Sequence, residues 1–312
     1  MKAFFTTSLL LAGLTAFFMC AGYLIGGQSG AMTALVLAGV MNLGAYWMSD
    51  KMVLAQYRAQ EVNERTAPNY YAIVRDLAAR ANLPMPKVYI IQSDQPNAFA
   101  TGRSPQHAAV AATTGLLQRL SHDEIAGVMA HELAHVKNRD MLTMTIAATL
   151  AGALGYLANF GFLFAGNRGE GEQRSPLAPI AMLLVMIVGP MAAMLVQMAI
   201  SRTREYEADR MGAQICGKPR ALASALNNIS QSARVISMPQ ADANPATAHL
   251  FIANPLSFGR MAQMFATHPP MEERIRRLLA MDGEVTPAQH LNSTPRSTSQ
   301  LPRAGGMRGP WG

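Results

Sequence analysis

The chain has 312 residues, half of them hydrophobic and 14% charged, with a formal net charge of +7. A soluble protein carries about a quarter of its residues charged, so the composition points away from a purely soluble chain. The basic residues are scattered with no aromatic-interleaved patch, which excludes nucleic acid as the expected partner. The two distant cysteines, Cys20 and Cys216, provide neither a disulfide framework nor a thiolate metal site.

The charge deficit lies in four apolar stretches. The first, Phe4–Gly26, is uncharged and long enough to span a bilayer as a helix. It exceeds the apolar core of a signal peptide and lacks a small-x-small exit, so it is expected to be retained. After Gly27–Gly30 comes the second run, Ala31–Met48, and the pair reads as a transmembrane hairpin over residues 1–49.

Residues 50–140 have soluble composition. The periodicity predicts a helix over Asn69–Ala81, ending before Pro84 and Pro86. Val88–Gln92, Ala98–Thr101 and Ala108–Thr113 are short β-prone runs. Ser121 and Glu124 have capping-box spacing, so a helix is expected from there through His135. Met141–Ala165 and Ile180–Ile200 are the third and fourth apolar spans, within residues 141–200, which either cross the bilayer or, as Gly-rich helices, pack into a protein core. Residues 201–282 form a second soluble part, helical but interrupted between Pro239 and Pro255, and residues 283–312 have the Ser, Thr, Pro and Gly content of a disordered tail.

Basic residues orient the spans. The loop at 27–30 has none and the polar loop between spans three and four has two, Arg168 and Arg174. Lys51, Arg58, Lys137, Arg139, Arg202 and Arg204 crowd the other side, which the positive-inside rule assigns to the cytoplasm with both soluble parts.

One motif carries chemistry. In His131-Glu132-Leu133-Ala134-His135 the two imidazoles stand four residues apart, on one face of a helix and one turn from each other. That spacing suits two ligands of a tetrahedral zinc ion, with Glu132 able to reach a water at the metal. A chain of this composition would match the pattern by chance roughly once in 200. A catalytic site needs a third protein ligand and one open position. The metzincin arrangement is absent, since position 138 is Asn and 141 is Met. Glu205 is the better candidate, with Asp209 on the same helix face to accept a hydrogen bond from a ligand imidazole. Glu207 is the runner-up, with a solvated pairing to Arg204 or Arg210 as its ordinary alternative.

Four apolar spans, the HELAH run, Glu205 with Asp209, and the segment Asn97-Ala98-Phe99-Ala100-Thr101-Gly102 together resemble the HtpX-type membrane metalloproteases, relatives of the CAAX prenyl endopeptidases. The resemblance runs from Lys2 to about Met281. It implies a mainly α fold with a small β-sheet, a zincin-like metalloprotease domain joined to about four transmembrane helices. It also implies one zinc ion per chain on His131, His135 and Glu205, with Glu132 as catalytic base. The location it implies is a bacterial cytoplasmic (inner) membrane, multi-pass, with the protease facing the cytoplasm. Polypeptide substrates, membrane proteins among them, would be cleaved in quality control under stress. The strand Ala98–Gly102 would be either an exposed sheet edge, where Asn97, Ala98, Phe99 and Ala100 pair with an extended substrate, or an ordinary buried hairpin strand. His268, before Pro269-Pro270, resembles a His-Pro element that would donate to the oxyanion.

Three other readings are weaker. An intramembrane protease with the same motif would need Asp282-Gly283 in an apolar span, and that dipeptide follows Arg274, Arg276 and Arg277. A transporter would want ionisable groups in the spans, which hold Asn42, Asn159 and Gln197 but no charge. A catalytically silent scaffold or holdase that keeps zinc for stability leaves Glu132 without a purpose.

Overall fold

In the computed structural model, residues 2–150, 202–256 and 269–282 are described. Helix α1, Lys2–Gln56, is broken at Gly26 and at Gly27, whose φ of 60° suits only a residue without a Cβ. The chain folds back there. Asn42 Nδ2 donates to Thr15 Oγ1 across the two arms at 2.9 Å. A Cβ on Gly22 would stand 2.5 Å from the Gly30 carbonyl oxygen, so the arms touch main chain to main chain. The turn sits at the start of the predicted loop, and the second arm runs past Met48 to Gln56. Asp50 and Lys51 end the apolar stretch, but neither breaks a helix; the helix stops just before Arg58, which has a φ of 49°.

Among the described residues, one helix, Gly26–Gln56, is long and apolar enough to cross a bilayer. Of the third predicted span, Met141–Leu150 is described, as helix α5, with Met141, Ile146, Ala147 and Leu150 buried. The rest of that span, the fourth span, His268 and the expected tail lie outside the described residues.

A mixed four-stranded sheet follows α1, in the order β1-β2-β4-β3. Its strands are β1 Gln60–Val62, β2 Lys87–Ile91, β3 Ala98–Gly102 and β4 Ala108–Thr113. The middle pair β2 and β4 is parallel and both flanking pairs are antiparallel. β1 pairs with β2 but is too short and polar to stand out in the sequence. β4 is Ala-Ala-Val-Ala-Ala-Thr and is buried throughout, as a central strand covered on both faces must be. One face, with Val88, Ala98, Ala100 and Val110, packs on helix α2, Pro68–Arg80, and helix α4, His122–Asn138. On the other face Phe99 meets Tyr57 from the end of α1 and Phe251, with ring centroids 5.0–5.9 Å apart. A short helix α3, Thr114–Arg119, links β4 to α4.

The longer helices that follow are α6 Arg202–Cys216, α7 Pro219–Ala233 and α8 Met271–Ala280, with short helical turns at Pro239–Asp242 and Pro245–Leu250 between the last two. They build the wall against which α4 packs. Two glycines set its distance. A Cβ on Gly127 would lie 2.9 Å from Leu222 Cα, and one on Gly212 would lie 2.9 Å from both Cα and N of His131. On α6, Glu205, Asp209 and Gly212 are spaced at four and three residues, one stripe facing α4. Replacing Gly212 by Ala is therefore expected to force the two helices apart. A drop in stability of about 1–3 kcal/mol and a roughly 100-fold loss of site activity would be read by thermal melting and turnover.

Candidate active site

Helix α4 begins on the expected capping box. Ser121 Oγ accepts from Glu124 N, and Glu124 Oε2 accepts from Ser121 N at 2.8 Å. The helix then carries His131, Glu132 and His135 into the interior, where all three are buried. Helix α6 brings Glu205 in from the opposite side, also buried.

His131 and His135 point their Nε2 atoms at a common centre, 3.2 Å apart. Glu205 closes the triangle, with Oε2 at 3.9 Å from His131 Nε2 and Oε1 at 3.5 Å from His135 Nε2. A tetrahedral ion with bonds of about 2.0–2.1 Å separates its ligand atoms by roughly 3.4 Å. The three side chains fit a metal of that kind, and among the described residues they are the one group of His, Cys, Asp and Glu side chains gathered so closely.

Each imidazole has a carboxylate behind it. His131 Nδ1 lies 3.0 Å from Asp209 Oδ1, a carboxylate that favours a ring proton on that side and an Nε2 lone pair turned inward. His135 Nδ1 faces Asp140 Oδ2 at 3.6 Å. Asp140 reaches that place because Arg139 caps α4 in the left-handed conformation, φ 60°, and turns the chain back so that Asp140 N donates to His135 O.

Asp209 is itself held by Arg274 of α8, a fully buried guanidinium. Its Nε and Nη2 donate to the two carboxylate oxygens at 2.8 and 2.7 Å, a bidentate pair, and Nη1 donates to the Ile252 carbonyl at 3.0 Å. Nη1 also stands 3.8 Å from Glu205 Oε2.

The electrostatics follow from burial among these charges. Burial pulls His131 down to about 4 against the opposing pull of Asp209, so its ring is neutral at neutral pH. Burial also acts to lower His135, but Asp140, Glu205 and Glu132 together carry it up to about 9. Burial would raise Asp209, yet Arg274 holds it at about 2. Glu132 is pushed up to about 7, first by burial, with Glu205 adding to the rise. His135, Arg274 and the backbone N–H of Ala100 work the other way. A carboxyl group poised near neutrality can take a proton and return it.

Glu207 is not part of the cluster. It is half-buried and accepts from Arg210 at 2.6 Å, the ordinary pairing that the sequence allowed. The predicted substrate edge is altered in detail. β3 is an edge strand of the sheet, but Asn97 is committed to the fold. Its Nδ2 donates to Ala253 O at 2.9 Å, its Oδ1 accepts from Ala98 N, and its backbone N–H donates to Thr113 Oγ1. Phe99 is locked in the aromatic cluster, and the carbonyl of Ala98 is taken by Ile252 N at 3.0 Å. Neither the Asn97 nor the Phe99 side chain faces the metal site, because alternate residues of a strand point to opposite faces and the Asn97 amide ties down a loop. The Ala100 N–H is turned to the Glu132 carboxylate, and β3 is buried along its length. Arg274 and Asp140 went unread in the sequence; the signal for Arg274 was its place four residues before the buried Leu278 on one helix face.

The crystal structure of S. mikatae Ste24p is similar to this chain at 18% identity, with a TM-score of 0.49, over 89% of this chain and 66% of that one. The chain thus spans just under two thirds of that protein's length. The family model of peptidase family M48 matches residues 64–282, from just after β1 through α8, a stretch that holds His131, Glu132, His135, Glu205, Asp209 and Arg274. The buried HELAH helix and the match over well more than half of the sequence lead to one conclusion: the chain belongs to peptidase family M48, a family of metalloproteases.

Proposed function

We propose that the protein is a membrane-anchored, zinc-dependent endopeptidase that works at the cytoplasmic face of a bacterial inner membrane. The observation that carries this reading is the triangle of His131, His135 and Glu205 with Glu132 buried beside it. Two imidazoles, with His135 giving up its extra proton as the ion binds, and one carboxylate with a position left open suit zinc, which when bound would polarise a scissile carbonyl and acidify water.

The protein's own groups do the rest. Glu132 accepts a proton from the attacking water and delivers it to the departing amine. Asp209, held by Arg274, fixes the tautomer and the tilt of His131. Main chain at Gly102, on the side of β3 away from β4, offers an extended substrate a place to pair. His268 is proposed as an oxyanion donor on the strength of its sequence context alone.

Membrane anchoring is supported by the apolar hairpin, with Val36, Val40 and Leu43 each 64–65% exposed. Helix α5 starts six residues after His135, and α6 follows directly on the fourth apolar stretch, so the site lies within about 10 Å of both runs at 1.5 Å per residue. Substrates would be membrane proteins with accessible cytoplasmic loops or damaged segments, which suits quality control under stress.

The test is zinc content and casein hydrolysis of the detergent-purified protein beside its Glu132→Gln variant. The variant is expected to keep its zinc and lose activity by about 10²–10⁴-fold. Equal turnover by both would end the assignment of Glu132, and no turnover by either would favour a silent scaffold.

A further inference from the structure

We propose that Trp47 and Arg103, with Tyr46 and Lys51 beside them, form a contact surface for lipid headgroups that seats the edge of the peptidase sheet on the bilayer; this rests on the membrane reading above. Three independent observations meet there. The helix between the hairpin turn at Gly27 and Trp47 covers about 30 Å at 1.5 Å per residue, which is the thickness of the hydrocarbon core. With the turn at one boundary, Trp47 stands at the other.

The side chains at that height are the ones an interface selects. Trp47 is 56% exposed and Tyr46 37% exposed, packed edge to face, and both have a polar N–H or O–H on an apolar ring. The first charged residues of α1 after Lys2 come next, Asp50 and an exposed Lys51.

The third observation joins this belt to the peptidase domain. Arg103 belongs to the turn after β3, not to α1, and its guanidinium lies over the Trp47 ring, 4.9 Å from the centroid. Among the described residues no carboxylate pairs with it. A guanidinium stacked by its face keeps its N–H edge for phosphate oxygens. Arg103 and Lys51 give the patch a positive sign, so anionic headgroups are its chemistry. The Gly102 end of β3 then sits at headgroup level, and a strand added along β3 would start from the membrane surface.

The experiment uses the full chain carrying Trp311→Phe, which leaves Trp47 as the sole tryptophan. It is reconstituted in phosphatidylcholine vesicles with and without phosphatidylglycerol. Lipids brominated near the headgroup end of the acyl chain are expected to quench Trp47 at least about twofold more than lipids brominated near the methyl end, and phosphatidylglycerol should raise that ratio. With Arg103→Glu added, the response to phosphatidylglycerol should vanish while casein cleavage in detergent stays within about twofold, since the guanidinium lies over Trp47 and not over a residue of the candidate site. Deeper than shallow quenching, strong quenching by aqueous iodide, or a patch silent to all three quenchers because protein covers it would each overturn the proposal. So would an unchanged lipid response in Arg103→Glu. Failure of the protein to float with vesicles would instead overturn the membrane reading itself.

Discussion

Replacing Glu205 by Ala is expected to strip the metal from the protein and abolish proteolysis. His131 and His135 remain 3.2 Å apart at their Nε2 atoms, but two imidazoles four residues apart bind an ion far less well than the closed triangle. Metal content after dialysis should fall to background, and activity by more than about 10³-fold, because both the ion and its charge neutralisation are lost. Glu205→Gln separates charge from shape: the amide keeps the length but ligates poorly, so it should resemble Ala. Glu205→Asp retains the charge about 1.5 Å short of the centre and should recover part of the metal at high zinc. Elemental analysis beside turnover for the three variants distinguishes a ligand from a carboxylate that merely balances Arg274. If Glu205→Ala kept stoichiometric zinc, the third ligand would have to be sought elsewhere.

The second large effect belongs to Arg274. Exchange for Met, similar in length and without charge, leaves the Asp209 carboxylate buried with its main counter-charge gone. Breaking a buried pair by removing one partner costs about 3–5 kcal/mol, which corresponds to a melting temperature lower by roughly 10 °C. The sign with pH is determined by Asp209. Its folded value lies below its unfolded one, so the stabilisation is present above about pH 4 and is lost as the pH falls towards 2. In Arg274→Met that acid-side loss should shrink. Adding Asp209→Asn should restore much of the stability, since no charge is then left unpaired, but zinc affinity should stay 10–100-fold down because His131 has lost its orienting carboxylate. Thermal melts across pH, with zinc titration, separate the two roles.

These residues were unequally legible. The candidate metal group was legible because helix periodicity is local information: His131 and His135 share a face whatever surrounds them, and so do Glu205 and Asp209. The start of α4 was legible for the same reason, since Ser121 and Glu124 are within one turn. Arg274 was not, because Arg276 and Arg277 stand beside it and only the packing of α8 decides which guanidinium is buried. Asp140 depends on a left-handed residue at Arg139, a conformation that arginine does not advertise. The β3 edge was legible as a strand, but the loop at Ile252 that covers its first carbonyl lies some 150 residues away in sequence, beyond the reach of any local pattern.

The contact between Gly212 and His131 has a consequence for how this centre can vary. Most active sites are positioned by side chains, which can rotate into another conformer when a neighbour changes. Here the ligand-bearing helices meet at bare main chain, which has no rotamer to offer. The distance from His131 to Glu205 is therefore a dimension of two backbones, insensitive to repacking around it. Shortening Glu205 withdraws one ligand atom but leaves the spacing of the two helices as it was; the position that changes that spacing is 212.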